Sequence, residues 1–149
     1  MRSKAVRLAA LSAAIEKELE TVPAGGDMVA HGRRSLRAVG AAYMRFARLE
    51  TGLFRTAFSV PAPVFEAPNP ANAGASGLNP FELLGQALDR MVEGGVLAAE
   101  RRPGAEFLAW STVHGLSMLI LDGPLQGIGD EMAEHFGGRI LDMVEKGLT

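Results

Sequence analysis

Three histidines, His31, His114 and His135, are the side chains of this sequence that ordinarily change charge near neutral pH. They lie far apart, and no two have the His-x-x-x-His spacing that sets two imidazoles on one helical face to hold a metal. There is no cysteine, which removes thiolate chemistry and any disulfide framework. Gly25-Gly26 and Gly137-Gly138 lack the flanking strand and lysine of a nucleotide-binding loop. Ser111 and Ser117 have no Gly-x-Ser-x-Gly context to make a nucleophile of them. The carboxylates fall on expected solvent faces, with no inward pair for acid–base work. No catalytic residue, metal site or cofactor is expected from these patterns, and the chain is not expected to be an enzyme.

His114 is the one suggestive polar residue. It sits in an uncharged, proline-free run over residues 107–121, which also holds the sole tryptophan, Trp110. At about 100° per residue, Phe107, Trp110, His114, Ser117 and Leu121 form one stripe of a helix. Leu108, Thr112, Gly115 and Leu119 form the opposite stripe. A helix apolar on both sides is expected to be covered all round. The run is shorter than the roughly 20 apolar residues that span a bilayer. Pro103-Gly104 before it and Gly123-Pro124 after it suit a helix start and a sharp stop. His114 then has two readings. The plainer is a core histidine bonded to a carbonyl or hydroxyl. The other is a polar fixing point in an apolar ligand pocket.

The elements that would position it are all helical. Leu8, Leu11, Ile15 and Leu19 repeat at spacings of three and four, which predicts a helix over 4–20 that ends in a glutamate-rich turn. Asp27 can cap a helix over 28–50. Its inner face carries Leu36, Val39, Tyr43 and Phe46, and its outer face carries Arg34, Arg37, Arg45 and Arg48. Residues 28–58 hold six arginines and one acid. Such a row could hold phosphates. A solvated or docked face is preferred, because no aromatic residues interleave with the arginines. A short turn of helix over 53–58 follows. Residues 59–79, rich in proline, glycine and asparagine, read as a long connection expected to be mobile and a possible lid. Asn79-Pro80-Phe81-Glu82 is a capping box with proline in the first turn, opening a helix that buries Phe81, Leu84, Leu88, Met91 and Val92 and ends at Gly94-Gly95. A last helix over 128–146 places Met132, Ala133, Phe136, Ile140, Met143 and Val144 on one broad side. No strand pattern appears. The expected fold is an all-α, antiparallel bundle of five main helices and one short one, forming a single domain over 1–149.

The totals agree with a folded domain. A chain of 149 residues with 48% hydrophobic side chains can bury a substantial core. A net charge of −2 argues against a dedicated nucleic-acid surface. No signal peptide or membrane span is read, so a cytoplasmic location is expected. The seven methionines suit an adaptable core or a permissive binding surface.

The run from Trp110 through His114-Gly115-Leu116 to Leu119 and Gly123 resembles the Trp-x-x-x-His-Gly signature of one class of C-terminal domains in the TetR (tetracycline-repressor-like) family. Leu88 to Leu97, with its Gly94-Gly95 pair, resembles that family's helix ending in glycine before the signature. Tyr43-Met44-Arg45-Phe46-Ala47, followed by Gly52-Leu53-Phe54-Arg55, resembles a third stretch of the same domains. The resemblance covers about residues 35–125. It implies a regulator whose C-terminal domain binds a small molecule, dimerises, and thereby releases an attached DNA-binding domain. The helix-turn-helix domain that would read DNA is absent from this sequence. Met1-Arg2-Ser3-Lys4 with Leu8 is similar to its tail, Leu8 standing one position late. Truncation, a mis-assigned start or a natural protein without a reader head are the open readings, and DNA would be met only through that absent domain.

Together these readings make an effector-sensing and dimerisation domain. A small hydrophobic effector would sit among Tyr43, Phe46, Phe54, Phe58, Leu88, Met91, Trp110 and His114. A homodimer would form through Thr112, Gly115, Leu119, Met132, Phe136, Ile140 and Met143, as a four-helix bundle. No residue is assigned to DNA. The alternatives are a helical interaction module that binds no ligand and a small helical enzyme using His114.

Overall fold

The computed structural model describes residues 4–58 and 69–149, and these are all helix and connection, without strands. Helix α1 spans Lys4–Leu19, α2 Met28–Leu49, α3 Thr51–Ala57, α4 Pro80–Glu93, α5 Ala105–Asp122 and α6 Asp130–Leu148, with single 3-10 turns at Pro70–Asn72 and Ala99–Arg101. The five long helices and one short helix are those expected from the sequence.

Local chemistry accounts for the helix starts. The Asp27 carboxylate accepts from the Val29 N–H at 2.9 Å and opens α2. At α4, Asn79 accepts from the Glu82 N–H at 2.8 Å while Glu82 accepts from the Asn79 N–H at 3.1 Å, a complete capping box. Before α5 the backbone turns at Gly104 with φ +78°, a left-handed conformation open to glycine at little cost.

Helix α2 is the hub, touching α1, α4, α5 and α6. Its predicted inner face is buried: Leu36, Val39, Tyr43 and Phe46 join Leu11 and Ile15 of α1, Phe54 of α3, Leu88 and Met91 of α4 and Val113 of α5 in one core. Glycines set how near the neighbours come. A Cβ at Gly32 would lie 3.1 Å from the Met91 backbone, and one at Gly40 would run into the Leu141 side chain.

Two expectations need correction, for α5 and for the arginines of α2. Helix α5 is not covered all round by its own chain: only Ala105, Ala109, Val113, Leu116 and Ser117 are buried, while Leu108 is 61% and Leu119 45% exposed. Because α5 is apolar in nearly every direction, its periodicity carried no information about which side faces in. Helix α6 packs only part of its broad apolar side on the core of this chain. Ala133, Gly137, Leu141, Val144 and Leu148 face the core, Phe136 and Ile140 are half-buried, and Met132 and Met143 stand exposed. Gly137 admits the Met44 side chain, with a would-be Cβ 3.3 Å from Met44 Cε. Small residues that score low on hydrophobicity thus decide the packed face.

The arginine row of α2 is solvated at Arg34, and its other three members are tied to acids of this chain: Arg37 to Asp142 at 2.7 Å, Arg45 to Glu18 at 3.3 Å, and Arg48 to Asp130 at 2.9 Å and to Glu134. Of the expected mobile connection, residues 59–68 lie outside the described residues, so the lid falls partly there. Residues 69–79 lean on α1, where the Ser12 hydroxyl donates to the Asn72 carbonyl at 3.4 Å and Glu16 accepts from the Ser76 N–H at 2.7 Å.

Candidate aromatic binding site

The histidine singled out in the sequence is half-buried on α5, and its polar partners come from two helices. Trp110, one turn earlier on α5, donates its Nε1–H to the Tyr43 oxygen at 3.1 Å. The same oxygen lies 2.6 Å from His114 Nδ1. Tyr43 is only 5% exposed, and among the described residues its hydroxyl has no third partner. With the Trp110 donor already on the oxygen, we assign the hydroxyl proton to the Nδ1 contact, where the imidazole nitrogen accepts it. A neutral imidazole with an accepting Nδ1 carries its proton on Nε2. With that assignment the chain Trp110→Tyr43→His114 puts the remaining proton on Nε2, which makes no hydrogen bond among the described residues.

The electrostatics fit a neutral network. Burial pushes the Tyr43 phenol above its ordinary value, partly opposed by the hydrogen bond from Trp110. Burial also lowers His114 below the usual imidazole range. A tyrosine held protonated and a histidine held neutral form a polar fixing point without charge. No carboxylate takes part in these hydrogen bonds, so the proton relay of a catalytic triad is not assembled here.

Aromatic rings surround the relay. Tyr43 meets Phe54 edge-on at a centroid distance of 5.4 Å, Phe54 lies 5.2 Å from Phe58, and Phe58 lies 5.4 Å from His114. On the other flank Phe81 lies 6.0 Å from Trp110 and 5.9 Å from Phe107. These separations are those of interacting aromatic pairs. Phe54 and Tyr43 are buried, and Phe58, Phe81, Trp110 and His114 are each half-buried.

Of the residues expected at the site, Tyr43, Phe54, Phe58, Trp110 and His114 come together. Phe46, Leu88 and Met91 are buried core residues. Met91 packs its backbone near Gly32, roughly three turns of α2 before Tyr43. Phe81 and Phe107 belong to the cluster and were not expected there. Nothing local in the sequence brings a residue from the start of α4 against the start of α5. The other histidines lie elsewhere: His31 Nδ1 is 3.0 Å from the Pro23 carbonyl, and His135 stacks near Phe136 at 5.7 Å. Among the described residues no group of three His, Cys, Asp or Glu could hold a metal.

Helices α5 and α6 carry five of the exposed large apolar side chains among the described residues. Phe107, Leu108 and Leu119 on α5 and Met132 and Met143 on α6 are all at least 41% exposed. Gly115 is exposed on the same side of α5, and a Cβ there would meet nothing within 4 Å. No helix among the described residues is long and apolar enough to cross a membrane.

Comparison with known proteins draws on the same elements. No match was found among curated proteins or among solved structures. The family model described as "Tetracyclin repressor-like, C-terminal domain" matches residues 36–144, from the third turn of α2 to near the end of α6, and so takes in the whole Tyr43–Trp110–His114 site. The chain belongs to the tetracycline-repressor-like C-terminal domain family.

Proposed function

We infer that this domain senses a small organic effector and dimerises, acting as the regulatory half of a transcriptional regulator in the cytoplasm. The observation that carries the reading is the Trp110–Tyr43–His114 relay. With the proton on Nε2, His114 would offer one neutral donor beside a half-buried aromatic cluster. A neutral or weakly polar molecule with an apolar or aromatic body and one hydrogen-bond acceptor matches that surface. Its body would lie on Phe58, Phe81 and Trp110, and its acceptor would meet Nε2. DNA would be reached only through a separate reader domain, and occupancy would be transmitted by shifting α5 against its neighbours.

The dimer reading rests on the exposed stripes of α5 and α6. Leu108, Thr112, Gly115 and Leu119 with Met132, Phe136, Ile140 and Met143 supply two adjacent helices per protomer for a four-helix bundle. Gly115 would let the partner's backbone come close. The test uses the sole tryptophan. A panel of uncharged aromatic compounds should include members that change Trp110 emission saturably, and His114→Ala should weaken them while the fold persists. If no compound does so, the exposed stripes support the second reading, a dimerisation module without a ligand. A monomer mass by light scattering at micromolar concentration would remove the dimer from both.

A further inference from the structure

The arginine row of α2 overlooks a cleft of about 380 Å³ between α2, α6 and the turn at the end of α1, on a different part of the molecule from the aromatic cluster. Its base is made of small or buried apolar residues, Ala38 and Met44 of α2 with Ala133 and Gly137 of α6. Ordinary side chains at these positions would close the space. At Gly138 an added Cβ would meet nothing within 4 Å, so this glycine faces open space along the cleft wall. Four arginines line the cleft, Arg34, Arg37, Arg45 and Arg48, against two acids, Glu18 and Glu134.

These arginines are not equally engaged. Arg45 and Arg48 are both held by Glu134, and Arg48 also by Asp130. Among the described residues Arg37 uses Nη1 alone, on Asp142 and Glu145, and its other N–H donors have no partner there. Arg34 is exposed, and among the described residues no carboxylate pairs with it. Arg34 and Arg37 are neighbours three residues apart on one helical face. The result is an apolar trough whose positive end holds unused donors suited to the fork geometry of a carboxylate or phosphate.

We propose that this cleft is a second binding site, for a small amphipathic anion: an apolar body with one carboxylate or phosphate head. The head lies between Arg34 and Arg37, and the body runs over Ala38 and Met44 towards Gly138. The site is independent of the aromatic cluster, and either can fail without the other.

The test is calorimetric titration of the intact chain with octanoate, octyl phosphate and octanol. Octanoate or octyl phosphate should bind at one site per chain, and the tighter of the two identifies the preferred head. Octanol should bind at least about tenfold more weakly, the effect expected for losing a charged hydrogen bond. Arg34→Gln, which breaks no ion pair of the fold, should weaken the anion about tenfold and flatten its salt dependence. Gly138→Leu should fill the trough and reduce binding by at least as much. Arg139→Gln, the same charge change outside the cleft, should leave affinity unaltered. If circular dichroism shows that Gly138→Leu disturbs the fold, Arg34→Gln decides alone. Octanol binding as tightly as octanoate, an Arg34→Gln variant with unchanged affinity, or no uptake of either anion at millimolar concentration overturns the proposal. So does octanoate saturation that Trp110 emission follows and Arg34→Gln leaves unmoved, since the ligand then sits on the aromatic cluster.

Discussion

Replacing Tyr43 by phenylalanine removes one oxygen atom and two hydrogen bonds. The ring can stay where it is, packed edge-on against Phe54. What changes is that Trp110 Nε1–H loses its acceptor and His114 Nδ1 loses its donor. Each such bond contributes about 1 kcal/mol net. Both partners are half-buried, so water can reach part of what is lost, and the variant should be destabilised by about 1 to 2 kcal/mol. For a chain of this size that corresponds to a fall in Tm of roughly 2 to 8 °C, measured at fixed protein concentration. A second readout isolates the relay from general loss of stability. Nitrogen-15 shifts of His114 should report Nε2–H as the main tautomer in the parent chain. In Tyr43→Phe they should report a mixture, with the imidazole pKa moving up from its lowered value. An unchanged Tm together with an unchanged tautomer would refute the relay, and with it the reason for placing the imidazole donor on Nε2.

Acid should act through the same histidine. Burial holds His114 below its ordinary value of 6.5, so the unfolded chain binds its proton first. Its contribution to stability is complete above about pH 6.5 and declines as pH falls from there towards the folded value; His114→Phe should flatten that limb of a denaturation-versus-pH series. Met132→Asp or Phe136→Asp should dissociate a dimer built on α5 and α6, seen as a halved mass in light scattering with helicity retained. Asn79→Ala should cost about 1 kcal/mol by breaking the capping box of α4, read from the denaturant midpoint. Ser35→Ala should be neutral or stabilising by up to about 1 kcal/mol, because the buried Ser35 hydroxyl has no hydrogen-bond partner among the described residues.

Helix identity and helix ends were readable in the sequence because they depend on local chemistry. Asp27 and Asn79 act on backbone groups two or three residues away, and the pattern around Tyr43 is strongly one-sided, so the inner face of α2 needed no partner to identify it. The residues of the relay were also visible, because Tyr43, Trp110 and His114 stood out by type and by resemblance to one family. Their joining was not. It requires α5 to cross α2 at one register, where a Cβ at Gly40 would lie 3.7 Å from Val113 of α5 and would run into Leu141 of α6. Such contacts are long-range and favour small residues, which a hydrophobic pattern ignores. The same cause sets Ala133 and Gly137 of α6 inward while Met132 and Met143 face out. It also left space beneath the arginine row. Along the sequence Arg34, Arg37, Arg45 and Arg48 are equivalent members of one stripe. Only the packing of α6, which carries Asp130, Glu134, Asp142 and Glu145 to three of them and none to Arg34, makes them different.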